Sequence, residues 1–167
     1  MQWLLDLVKT KAPVNFLTSR IMEISRMPGF YDYFKENMEG LGLPAPASLF
    51  GSVQAAVANA SVILSQIDKF GKTVTIGELI GAGTRLEGLG VIAACSASFY
   101  VGAVIGSIAV ATGRSLAGGT SISDILSTAH RYNLNRPWLI QNLYRSPEIY
   151  ASRAPARKAY RSQAVYA

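Results

Sequence analysis

The sequence has little of what enzymes and metal sites are built from. It holds one cysteine, Cys95, and one histidine, His130. A single cysteine excludes an intrachain disulfide framework and a cysteine-based zinc site. A single histidine excludes a multi-histidine metal centre. No two carboxylates fall into a spacing that suggests paired acid–base work. The glycine-rich stretch GELIGAGTRLEGLG (77–90) lacks the lysine pattern of a phosphate-binding loop, and no strand precedes it. We therefore expect no enzymatic activity, no cofactor and no metal. Cys95 reads as a small buried apolar residue and His130 as a surface or helix-end residue.

Charge is also scarce. Only 16% of the residues are Asp, Glu, Lys or Arg and 50% are apolar, against about 25% charged in a typical soluble domain. This deficit leans toward a membrane-active chain. The charges present are unevenly placed. Residues 1–130 balance, whereas 131–167 carry Arg131, Arg136, Arg145, Arg153, Arg157, Lys158 and Arg161 against Glu148 alone. The whole formal excess of +6 therefore lies in the C-terminal fifth, which suggests an anionic partner. The opening MQWLLDLVKTK is no secretory signal, because Asp6 interrupts a short apolar patch and no small-residue cleavage site follows. The expectation is synthesis in the cytoplasm, with any export by another route.

Strand alternation and internal repeats are absent as well, and the periodicity is helical throughout. We expect an all-α fold: a small helical protein with an apolar helical hairpin and a basic, poorly ordered C-terminal tail. Residues 1–40 read as amphipathic helices, with stripes Trp3, Leu4, Leu7, Val8 and Phe16, Leu17, Ile21, Ile24. A third helix spans Phe30 to Glu39, with Gly40 as its stop. Its Phe30, Tyr31, Tyr33, Phe34 cluster reads as packing. Residues 41–113 form the hairpin. Its first arm runs from about Leu49 to Phe70, capped by Ser48. Its second is the uncharged run Leu89 to Thr112, 24 residues between Glu87 and Arg114. About 20 helical residues cross a hydrocarbon core of roughly 30 Å. Residues 114–147 supply a linker and short helices, one capped by Ser123 and one started at Pro137. Residues 148–167 are the basic tail.

Within the second arm, Gly90, Ala94, Ser98, Gly102 and Gly106 recur every four residues. In water such glycines cost about 0.5–1 kcal/mol each relative to alanine. In lipid, small-xxx-small rows let helix backbones approach closely. Ser52, Ala56 and Ala60 repeat the spacing on the first arm. These eight residues are the candidate helix-packing set. Gln54, Asn59, Ser61 and Gln66 are costly facing lipid and are candidates to line a pore. Arg145, Arg153, Arg157, Lys158 and Arg161 are candidates to hold anionic headgroups. A nucleic-acid partner is not expected, since no recognised nucleic-acid fold accompanies the tail.

The segment GLGVIAACSASFYVGAVIGSIAVATG, in a small chain without a signal peptide, resembles the glycine-zipper pore-forming antibacterial effectors of type VI secretion systems. The resemblance covers residues 48–113. It implies a membrane-inserting toxin that makes a target cell's inner membrane leak ions, assembled as a homo-oligomer. It also implies a secretion carrier (a tube protein or chaperone) and a cognate immunity protein. Two other readings stay open. One is a resident membrane protein of holin-like or immunity type. The other is a soluble all-α adaptor or structural protein.

Overall fold

The computed structural model describes residues 29–113 and 120–151. The first two amphipathic stripes, the linker 114–119 and the tail from 152 lie outside the described residues.

The fold is all-α. Seven α-helices and two 3₁₀ helices are described, in the order α1 (Phe30–Gly40), α2 (Ala47–Phe50), α3 (Val53–Phe70), α4 (Ile76–Gly81), a 3₁₀ helix (Glu87–Ile92), α5 (Ala97–Thr112), α6 (Ile122–Arg131), α7 (Leu139–Arg145) and a 3₁₀ helix (Pro147–Ile149). Helix α5 is the axis. Helices α1 and α3 pack on it most extensively, and α6, α7 and the last 3₁₀ helix cover it from other sides. Fourteen of its sixteen residues are buried. An α-helix apolar on every face must be enclosed by protein or by lipid, and here protein encloses it.

The surrounding helices are amphipathic and each turns its apolar side to α5. Phe34 and Met38 of α1, Ile63, Leu64 and Ile67 of α3, Ile125 and Ala129 of α6, and Leu139 and Leu143 of α7 all join the core. A run of rings ties three helices together. Phe34 stacks on Phe50 at 5.2 Å between centroids, and Phe50 meets Tyr100 at 6.2 Å. The α1 aromatic cluster is therefore packing, as its spacing suggested.

The helix ends correct several boundaries. Helix α1 runs through Gly40 and stops because Gly42 takes φ 72°. The next amide, Leu43 N, then donates to Met38 O at 3.0 Å and the Leu43 side chain is buried. Helix α6 ends the same way, with Asn133 at φ 58° and Leu134 N donating to Ala129 O at 2.7 Å. Its N-cap is Ser121, not Ser123, in a reciprocal capping box with Asp124. Helix α7 starts at Leu139, two residues beyond Pro137.

The two arms of the expected hairpin are both broken. The first divides at Gly51 and Ser52. Ser48 lies inside α2 and caps nothing, while Ser52 Oγ caps α3 by accepting from Ala55 N at 3.2 Å. A Cβ at residue 51 would lie 2.6 Å from Ala47 O, so the chain passes there only as glycine. The second arm is not one helix from Leu89. Its first turn is 3₁₀, and α5 begins only after Ser96. The cause is α4. Ile76 N donates to Cys95 O and Gly77 N to Ala93 O, both at 2.9 Å, and Ala97 N donates to Val74 O at 2.9 Å. Thr75 and Ser96 thereby form an antiparallel bridge. Each also caps its own helix, Thr75 by accepting from Glu78 N and Ser96 by accepting from Phe99 N. Residues 93–96 are thus engaged with the start of α4 and cannot continue α5 backwards.

Candidate functional site

The candidate site is α5 and what seals it. Four of its side chains are polar enough to require partners. Three of them are matched from distant elements. Ser98 Oγ donates to Lys72 O at 2.8 Å, Tyr100 Oη donates to Pro44 O at 2.8 Å, and Ser107 Oγ accepts from Asn37 Nδ2 at 2.8 Å. The fourth, Thr112, bonds back to Ile108 O within the helix. Burial pushes the Tyr100 phenol far above its ordinary range, with a smaller contribution from nearby Cys95, so it stays a neutral donor. Among the described residues, no buried side-chain N or O atom lacks a hydrogen-bond partner. Such long-range pairs specify one seating of an otherwise greasy cylinder, because a mispaired buried polar group costs about 1–3 kcal/mol.

The small residues of α5 have a definite use. A Cβ on Gly102 would stand 3.3 Å from Asn142 Nδ2 and 3.4 Å from Ile149 Cδ1. One on Gly106 would stand 2.9 Å from Ile149 Cγ2 and 3.5 Å from Ile125 Cδ1. Asn142 Nδ2 also donates to Ser98 O at 2.9 Å. Ser98, Gly102 and Gly106 therefore form a slot that α7 and the 3₁₀ helix after it fill. Gly90 and Ala94 are not part of that slot. They lie before α5 and are exposed. The five-residue row expected from the sequence is three residues long in this fold.

On α3, Ala56 and Ala60 are wholly buried, while Ser52 serves as the cap. The expected pore-lining residues do not converge. Gln54 and Ser61 are exposed and Gln66 is half-buried. Asn59 donates to Leu49 O at 2.7 Å and to Ala55 O at 3.1 Å, which fastens α2 to α3. Of the expected lipid-contacting cations, Arg145 is exposed in the last turn of α7. Arg153, Arg157, Lys158 and Arg161 lie outside the described residues.

His130 is exposed near the end of α6, with Nε2 3.2 Å from Asn135 Nδ2. Cys95 is half-buried, and burial raises its thiol pKa. An open cleft of about 390 Å³ lies between α5 and α6, lined by Thr112, Thr120, Asp124, Thr128 and Arg131 among others. The Ser121 hydroxyl, donating to Asp124 Oδ2 at 2.6 Å, holds that carboxyl below the usual carboxylate range. No group of three metal-ligating His, Cys, Asp or Glu side chains occurs among the described residues. No family model, curated protein or solved structure matches this chain.

The partners Asn37, Asn142 and Ile149 were not visible in the sequence. Each sits in a short amphipathic or broken stretch, and nothing local says which residue of α5 it meets. The one usable signal was Pro147, which stops α7 and turns Ile149 inward.

Proposed function

We propose that the chain is a membrane-active antibacterial effector whose described residues form its closed state. The observation that carries this reading is α5 itself: a helix apolar on every face, enclosed among the described residues by amphipathic helices. Such a helix has two environments in which it is stable, a protein interior and a bilayer. The covering helices have polar outer faces and would lie comfortably at a bilayer surface once they separate from it.

No helix among the described residues is long and apolar enough to cross a membrane. At 1.5 Å per residue the sixteen residues of α5 extend about 24 Å. In this reading insertion includes a lengthening step. The Thr75–Ser96 bridge opens, residues 89–96 join α5, and the uncharged run becomes about 36 Å long. Gly90 and Ala94 then extend the row of Ser98, Gly102 and Gly106, and copies associate along it as a homo-oligomer that leaks ions across a target inner membrane. A secretion carrier and an immunity protein in the producing cell complete the scheme.

The test is dye release from liposomes by the purified chain, paired with growth of cells expressing a periplasm-directed version. The proposal requires leakage and growth arrest. A second reading, a non-catalytic helical interaction module, is favoured by one specific observation: Gly102 and Gly106 are already filled from within the chain. Under that reading the protein stays monodisperse without detergent, ignores liposomes and leaves growth unchanged.

A further inference from the structure

Helix α7 and the 3₁₀ helix that follows have two faces of different character. Inward, Leu139, Leu143 and Ile149 are wholly buried, and Asn142 and Ile149 occupy the glycine slot of α5. Outward, Ile140 is 38% exposed and Tyr144 67% exposed, four residues apart on one side of the helix, with Arg145 exposed beside them. An apolar residue and an aromatic with a polar tip on one face, with a cation about 100° further round, suit a helix that settles at a lipid–water boundary. The charge of the surrounding sequence agrees. From Arg131 onward it carries seven basic residues and one acid, and Arg153, Arg157, Lys158 and Arg161 follow the segment directly.

The segment is held to the rest of the fold by its buried side chains and by polar contacts at its middle and flanks. Asn142 Nδ2 to Ser98 O is a side-chain hydrogen bond to α5. Upstream, Arg136 grips both oxygens of Asp68, with Nε 3.1 Å from Oδ1 and Nη2 2.8 Å from Oδ2; the Asp68 side chain is 47% exposed, so an anionic surface competes for the guanidinium at that point. Downstream, Thr120 N donates to Tyr150 O at 2.8 Å.

We propose that Leu139–Ile149 is a membrane-sensing strap: Ile140, Tyr144 and Arg145 seat on an anionic lipid surface, and that seating withdraws Asn142 and Ile149 from the slot on α5. This rests on the membrane-active reading above and deepens it, by naming the contact that keeps the apolar helix closed and the surface that opens it.

The experiment follows amide exchange of residues 139–149 in the full chain, with phosphatidylglycerol vesicles and with phosphatidylcholine vesicles. The expected result is at least about tenfold faster exchange of these amides on the anionic vesicles, with α3 still protected. Unchanged exchange, equal acceleration on neutral vesicles, or loss of α3 protection in step would each overturn the strap. Ile140→Ser with Tyr144→Ser and Arg145→Glu alters only exposed positions and should abolish the effect; acceleration that survives it counts against the lipid contact. A lock supplies the second arm. In a Cys95→Ser background, the lock is Gly102→Cys with Asn142→Cys, chosen because a Cβ on residue 102 stands 3.3 Å from the Asn142 side chain, with crosslinking verified by loss of free thiol before leakage is read. The oxidised form should leak vesicles at least about tenfold less than the same protein reduced. Equal leakage in both forms removes the strap and leaves the effector reading standing. Strap release on lipid without leakage from the wild-type chain keeps the strap and removes the pore.

Discussion

At the scale of single residues, Gly106 separates two roles that glycine can have in a helix. Replacing an interior helical glycine by alanine ordinarily gains about 0.5–1 kcal/mol. At Gly106 the new methyl would press on Ile149 Cγ2 from 2.9 Å, and overpacking costs about 1–3 kcal/mol. Gly106→Ala should therefore be destabilising by about 1 kcal/mol in urea denaturation. Gly40→Ala, where nothing lies within 4 Å, should be neutral or stabilising. Adding Ile149→Leu, which lacks the Cγ2 methyl, to Gly106→Ala should cost less than the sum of the two single changes, a coupling of about 0.5 kcal/mol or more; strict additivity would show that the two residues do not press on each other. Ser107 gives a parallel case. Ser107→Ala strands the Asn37 amide and should cost about 1–3 kcal/mol. Asn37→Leu with Ser107→Ala should cost less than the single change.

At the scale of elements, the joined helix starts of α4 and α5 make the sharpest expectation. Ser96→Ala removes a cap worth about 1 kcal/mol from a residue that also sits in the bridge to Thr75. Amide exchange should then rise at the first turns of both α4 and α5, not of α5 alone. Helix α6 should show a pH effect. The Ser121–Asp124 capping box lowers the Asp124 pKa relative to the unfolded chain, so its contribution is present above the ordinary carboxylate pKa and fades as pH falls through the lowered value. Exchange at the start of α6 should rise in that acid window, and Asp124→Asn should flatten the dependence.

These elements also mark what was legible in the sequence. The span of helix α1 could be read almost to the residue, because its start after Pro28-Gly29 and its glycine-rich end are local, although the glycine that stops it is Gly42 and not Gly40. The apolar character of α5 could be read too. Its starting point could not, since that is decided by Ile76 and Gly77 drawing on the carbonyls of Cys95 and Ala93, nearly twenty positions away. The same is true of the slot. The spacing of Ser98, Gly102 and Gly106 shows that something approaches closely. It does not distinguish a second copy in lipid from Ile149 of the same chain.

At the scale of the whole molecule, the apolar burial of the described residues centres on one enclosed cylinder, α5. Among the described residues, Lys35–Glu39 and Arg136–Asp68 are partly exposed ion pairs, and exposed pairs contribute about 0–1 kcal/mol. The denaturation midpoint should therefore change little between low and high salt. Binding to anionic vesicles, if the cationic C-terminal fifth drives it, should weaken steeply over the same range. A midpoint that fell sharply with salt would instead place the stability in the ion pairs.

The order in which α5 acquires its cover has a further consequence. A ribosome releases α1 to α4 first, then α5, and only afterwards the residues that close its glycine face. Between those moments α5 carries an open apolar furrow that still lacks Asn142 and Ile149, the residues that fill it in the fold. A chain stopped at residue 138 would keep that furrow for good, and should self-associate or be captured by chaperones where the 167-residue chain is not.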